Sequence, residues 1–130
     1  MVSRARDWFK QAVRDLEQAE ASARTERHEW ACFAAQQAAE KAVKALHLFH
    51  GQEAWMHVIA RLLQDLPENI LVPASLLDKA KVLDNFSIPA RSPSSHPAGA
   101  PCEHYGPVQS EAAITYAGEI ISFVRAQMAG

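Results

Sequence analysis

Residues 28–51 read HEWACFAAQQAAEKAVKALHLFHG, and this stretch decides the fold. At 100° per residue, Ala31, Ala34, Ala35, Ala38, Ala42, Ala45 and Phe49 share one face of a helix. Alanine is the best helix former. A face of small side chains also lets another helix approach near the short end of the usual interaxial range of ~8–10 Å. A second stripe, Trp30, Phe33, Gln37, Glu40, Lys41, Lys44 and Leu48, mixes apolar and polar groups. The helix is therefore expected to meet neighbours on more than one side. Gly51 suits the left-handed position just past its end.

Working outward, residues 4–24 carry Ala5, Trp8, Phe9, Ala12, Leu16, Ala19 and Ala23 in steps of three and four, the period of an amphipathic helix. Residues 57–66 give a short helix through Val58, Ile59, Leu62, Leu63 and Leu66, ended by Pro67. Pro73 stands at the first turn of a fourth helix whose inward residues are Leu76, Leu77, Ala80, Leu83 and Phe86, with Pro89 as its stop. The last helix runs over about residues 108–127, with Ala113, Tyr116, Ala117, Ile120, Ile121 and Val124 inward. Trp8, Trp30 and Phe33 read as core residues. The expectation is an all-α fold: one domain over residues 1–130, an antiparallel up-and-down bundle of about five helices, with a long Pro-rich loop before the last.

Composition agrees. Of 130 residues, 24 are alanine, and five of the seven prolines fall within residues 89–107. A chain of this length buries a sufficient core without disulfides or metals. Residues 1–51 carry a net charge of +1 and residues 52–130 one of −3, with no run of like charge. That excludes bulk electrostatic binding of DNA, which needs clustered Lys and Arg, but leaves room for a local site for phosphate or single-stranded RNA. Cys32 and Cys102 have no zinc spacing, and Cys32, set among alanines, reads as a small core residue. His47 and His50 are three apart but lack a third ligand at useful spacing, so no metal site and no cofactor are expected. The start of the chain has no apolar signal segment, and no stretch approaches ~20 apolar residues, so the chain reads as cytoplasmic with no membrane association.

The ordered set WFKQAVRDLEQA (8–19), WACFAAQQAAEKAVKALHLFHG (30–51), His57 opening a short leucine-rich helix, LDKAKVLDNFSIPARSP (77–93) and HYGPVQSEAAITYAGEIISFV (104–124) resembles the HEPN domain family (higher eukaryotes and prokaryotes nucleotide-binding). The resemblance covers nearly the whole chain. It implies a bundle of about five helices, a homodimer, and pairing with a small nucleotidyltransferase, often as toxin and antitoxin. Members of one branch are metal-independent ribonucleases with an arginine followed four to six residues later by a histidine. Arg91-Ser-Pro-Ser-Ser-His96 fits that spacing. A second branch carries Arg-Tyr-Pro-Asp here, and this chain reads Arg91-Ser92-Pro93-Ser94, without the Tyr and the Asp.

Arg91 offers a planar fork of donors suited to phosphate. His96 titrates near neutrality and suits general acid or base work on RNA. The plain alternatives are a surface arginine paired with a carboxylate and a loop histidine bracketed by Pro93 and Pro97. For Glu40 and Lys44, four residues apart, we favour a helix-surface ion pair; the competing reading puts Gln37 and Lys44 at the rim of a nucleotide site. His57 is expected to cap or pack the start of the short helix, and is otherwise a nucleotide-site candidate. His104 and Tyr105 either stack on a base or pin the loop before the last helix, and the second is favoured. Two functions compete: a nucleotide- or RNA-binding protein with ribonuclease activity, and a non-catalytic module that binds a nucleotidyltransferase.

Overall fold

A computed structural model describes residues 3–87 and 90–129. Its helices are α1 (Ala5–Arg24), α2 (His28–Phe49), α3 (Ile59–Gln64), α4 (Ala74–Asp84), α5 (Pro101–His104) and α6 (Pro107–Met128). A 3-10 turn covers Pro93–Ser95. No strand occurs among the described residues, so the fold is all-α. The five helices read from periodicity are α1 to α4 and α6. The single turn α5 lies inside the expected irregular segment, where Pro101 starts it and the Glu103 carboxylate accepts the Ala100 N–H at 3.0 Å. Pro89, expected to stop the fourth helix, lies outside the described residues; the helix itself ends at Asp84.

The central element is α2, which packs against α1, α3, α4, α5 and α6. Ala31, Ala35, Ala38, Ala39, Ala42 and Ala45 are completely buried along it. Small residues allow this: bulkier side chains on every side would hold the neighbours apart. Against them lie Ala12 and Ala19 of α1 and Ala113, Ala117, Ile120 and Val124 of α6. A tight turn at 25–27 reverses the chain between α1 and α2, with Glu26 in the left-handed region at φ 61°. The His28 ring and the Ser110 hydroxyl share a 2.8 Å hydrogen bond that ties the start of α2 to α6. Lys79 of α4 meets Glu119 of α6 at 2.8 Å.

Some expected core positions lie elsewhere. Phe49 is exposed: it lines an open recess with Arg6, Phe9 and Lys10 of α1 and Arg125 and Met128 of α6, and its ring meets the edge of His50. Val58 is exposed because α3 starts one residue later, at Ile59, with Val58 extended at its N-cap. Trp30 is half exposed, and Trp8 and Phe33 are only partly buried. The facing α1 positions near Trp30 and Phe33 are Ala21, Ser22 and Thr25, too small to cover two large rings.

Candidate functional site

The loop after α4 is anchored by Ala90, which is buried. Arg91 follows and turns its side chain back onto α2. Its Nε donates to the Ser87 carbonyl at 3.0 Å, and the guanidinium lies 4.3 Å from the centroid of the Phe33 ring. Trp30 meets Phe33 edge to face, with centroids 6.1 Å apart. The Ser87 bond and the Phe33 face hold the guanidinium in place while the residue stays exposed. Phe33 and Trp30 line a cleft of about 670 Å³ between α1 and α2, together with Gln37, Arg27, Lys41 and Asp15. Lys41 and Asp15 form an ion pair across it.

His96 follows the 3-10 turn in extended backbone. Its ring stacks on His104, with centroids 4.2 Å apart and planes 7° apart, and meets the edge of Tyr105 at 6.0 Å. His104 Nε2 donates to the Ala98 carbonyl at 2.6 Å. A carbonyl only accepts, so Nε2 carries the proton. The chain turns at Gly99 with φ +80°, and a Cβ there would stand 3.1 Å from His104 Nε2. Tyr105 packs edge-on to Phe86 at 5.9 Å. Burial, with the nearby Cys32, pushes its phenol pKa upward. His104 and Tyr105 thus join the loop to the bundle ahead of α6. Arg91 leans on Phe33 of α2, and His96 stacks on the His104–Tyr105 unit.

Glu40 and Lys44 form a buried pair, not a surface one. Lys44 Nζ donates to Glu40 Oε2 at 3.0 Å, with each side chain 8% exposed. The other oxygen, Oε1, accepts from Gln36 Nε2 at 3.1 Å, and Gln36 in turn accepts from Gln37 at 2.7 Å. His57 Nδ1 donates to Glu40 Oε2 at 2.9 Å, while its ring is mostly exposed. Burial raises the Glu40 pKa, but the hydrogen bonds from His57, Lys44 and Gln36 outweigh it and leave the carboxyl below the usual glutamate range. Glu40 sits here because α2 is enclosed on more sides than a two-faced helix.

His57 does not cap α3. That role belongs to Asp84 at the end of α4, whose carboxylate accepts the N–H groups of Ile59 at 2.6 Å and Ala60 at 3.1 Å. Burial is the larger influence on Asp84 and, with the charge of Glu40, raises its pKa against the lowering effect of the two N–H bonds. Sequence reasoning missed both Asp84 and Gln36. Gln36 shares an i,i+4 register with Glu40, which is a readable signal. Asp84 is 24 and 25 residues from the groups it caps, and no local pattern points to it. Among the described residues no three His, Cys, Asp or Glu side chains gather where they could hold a metal ion. His47 is engaged by the Gln52 amide at 3.0 Å and the Leu62 carbonyl at 2.7 Å. Cys32 is buried, and burial foremost pushes its thiol up to about 12, out of the nucleophilic range.

The sequence profile of the HEPN domain matches residues 5–127. Three solved structures are similar over nearly the full length. The crystal structure of TT1696 from Thermus thermophilus is 49% identical, covers 97% of this chain and 99% of its own, and superposes with a TM-score of 0.95. ST0689, an archaeal HEPN homologue, is 39% identical, with 98% and 99% coverage and a TM-score of 0.83. An HEPN domain protein from Thermotoga maritima, TM0613, is 32% identical, with 95% and 98% coverage and a TM-score of 0.77. No functionally curated protein matches the chain.

Proposed function

The chain belongs to the HEPN domain family, and from that premise we propose that it binds nucleotide or single-stranded RNA, with Arg91, laid on the cleft residue Phe33, as its phosphate ligand. The observation that carries this is the Arg91 guanidinium laid 4.3 Å over Phe33 and tethered to Ser87. A guanidinium held by ring and carbonyl loses less freedom when it meets phosphate than a free surface arginine does. Arg27, Lys41 and Gln37 supply further donors along the cleft.

In the ribonuclease form of this reading, His96 takes the proton from a ribose 2′-OH and the freed oxygen attacks the adjacent phosphorus. The 5′-oxygen leaves and takes up a proton, while Arg91 holds the phosphoryl oxygens. A homodimer, as the family implies, would bring two copies of the pair together, so that one His96 acts as base and the other as the acid that protonates the leaving 5′-oxygen. The protein then acts in the cytoplasm as the toxin of a pair with a small nucleotidyltransferase. The test is expression in a host, with growth recorded for wild type, Arg91→Ala and His96→Ala. Arrest by wild type, relieved in both variants, is the expected result. Equal behaviour of all three removes catalysis, and an unchanged affinity of Arg91→Ala for RNA removes the phosphate site as well.

A second reading is favoured by the packing of His96 against His104 and Tyr105. Here the loop is a structural strap, and the protein is a non-catalytic partner of a nucleotidyltransferase. Co-purification of the two, without growth arrest on expression of this chain alone, distinguishes it.

A further inference from the structure

The seam between α1 and α2 holds a second recess, distinct from the cleft that Phe33 lines. Along the seam Ser22 lies by Phe33, Asp15 meets Lys41, and Trp8 lies by Lys44. These pairs step in opposite directions along the two helices, following the mixed stripe of α2. Past the ion pair, Trp8, Lys44, Leu48, Glu53, Ala54 and Trp55 line a slot of about 180 Å³. At the helical rise per residue, Lys44 stands about 16 Å along the axis from Phe33.

The chemistry of this slot is specific. Two indoles contribute to its walls, and Trp55 is 80% exposed, an apolar ring left in water by the segment between α2 and α3. Lys44 is more than nine-tenths buried, and its Nζ lies 5.9 Å from the centre of the Trp8 ring. An ammonium has three donors and no acceptor. Among the described residues, Lys44 donates to Glu40, with His57 Nδ1 3.3 Å away. The His57 proton goes to Glu40, so Nδ1 has no lone pair to offer, and a Lys44 donor remains for an occupant of the slot. Glu40 and Glu53 place carboxylates close by, which disfavours an anion. The ammonium disfavours a cation. What fits is a flat, uncharged ring with a hydrogen-bond acceptor on its edge, held by stacking. The volume admits one ring system and falls short of a site for a whole drug-sized ligand, about 300 Å³ or more.

We infer that the Trp8–Trp55 slot takes a single nucleobase, with sugar and phosphate left outside, as a second contact point on the α1–α2 seam that also carries Phe33, on which Arg91 lies. This rests on the nucleotide-binding reading above and adds to it a base-specific site. The side chain of a protein partner is the other flat occupant. Phe and Trp rings carry no acceptor for Lys44, so the geometry favours the base.

The test uses the full chain and its tryptophan fluorescence. Uridine and guanosine, with or without a 5′-phosphate, are expected to quench it saturably, and ribose to leave it unchanged. Trp55→Ala, at an exposed position, should weaken mononucleotide binding about tenfold, the scale of one lost base stack. Trp55→Phe should keep most of it. Arg91→Ala should weaken a longer ligand such as hexauridylate, which brings phosphates to the Arg91 site as well. Equal binding by wild type and Trp55→Ala, no quenching by uridine, quenching by ribose, or equal quenching by N-acetylphenylalaninamide overturns the slot. Loss of hexauridylate binding in Arg91→Ala, beside an unaffected Trp55→Ala, would leave the phosphate site standing and the slot refuted. The converse pattern would refute the phosphate site alone.

Discussion

At Glu40 two opposing influences meet within one carboxyl group. Burial favours the neutral acid, and three hydrogen bonds favour the anion and win. A folded-state pKa below the unfolded one means that Glu40 contributes stability above the unfolded value of about 4.3, and loses it as pH falls through the folded value. Asp84 has the opposite sign. Its raised pKa gives a contribution present below the unfolded value and lost as pH rises through the folded one. Thermal unfolding of Glu40→Gln, followed from neutral pH into acid, should therefore show a flatter acid limb than wild type; parallel limbs would mean that Glu40 is not the titrating group. Lys44→Met is the sharper change, because it leaves the Glu40 charge buried without its ammonium. Denaturant titration should register a loss of about 3–5 kcal/mol, much of it recovered when Glu40→Leu is added.

At the scale of the element, the α1–α2 turn holds a residue against its preference. Glu26 sits at φ 61° just past α1, the place where glycine is usual. The left-handed conformation costs an L-residue about 1–2 kcal/mol, and the extra unfolded-state freedom of glycine returns about 0.5–1 of that. Glu26→Gly should therefore stabilise the protein by about 0.5–1 kcal/mol, read as a higher Tm; an unchanged or lower Tm would show that the Glu26 side chain contributes something the turn geometry does not reveal. The helices themselves were legible where apolar residues recur at steps of three and four, as in α1 and α6. The ends of α3 were not. Its N-terminus is fixed by Asp84 on another helix, and a cap supplied across more than twenty residues has no local signature. The turn α5 escapes periodicity for a similar reason, since four residues are too few to show a period.

Across the whole molecule, α2 is the shared wall of the other helices, and the alanines that face them set the spacing. Ala42 is fully buried within it. Ala42→Leu adds three carbons where the packing has no space for them, and should cost about 1–3 kcal/mol. Because α1, α4 and α6 all contact this helix, the loss should appear in one cooperative transition by circular dichroism. A separate early step would mean that the bundle is not one cooperative unit.

The sequence by itself determined the class of fold, the order of the main helices and the place of the irregular segment. These depend on the spacing of apolar residues and on proline and alanine, all of which act over a few positions. Together with the family resemblance, it also singled out Arg91, His96, Gln37 and Lys44 as candidates. Only the tertiary structure decided what those residues face. It laid Arg91 on Phe33, stacked His96 on His104, enclosed Glu40 and Lys44, and left Trp30 and Trp55 at the rims of open space. Periodicity shows which face of a helix is apolar. Whether that face is covered depends on the size of side chains far away in the chain, and on where the chain between helices comes to rest.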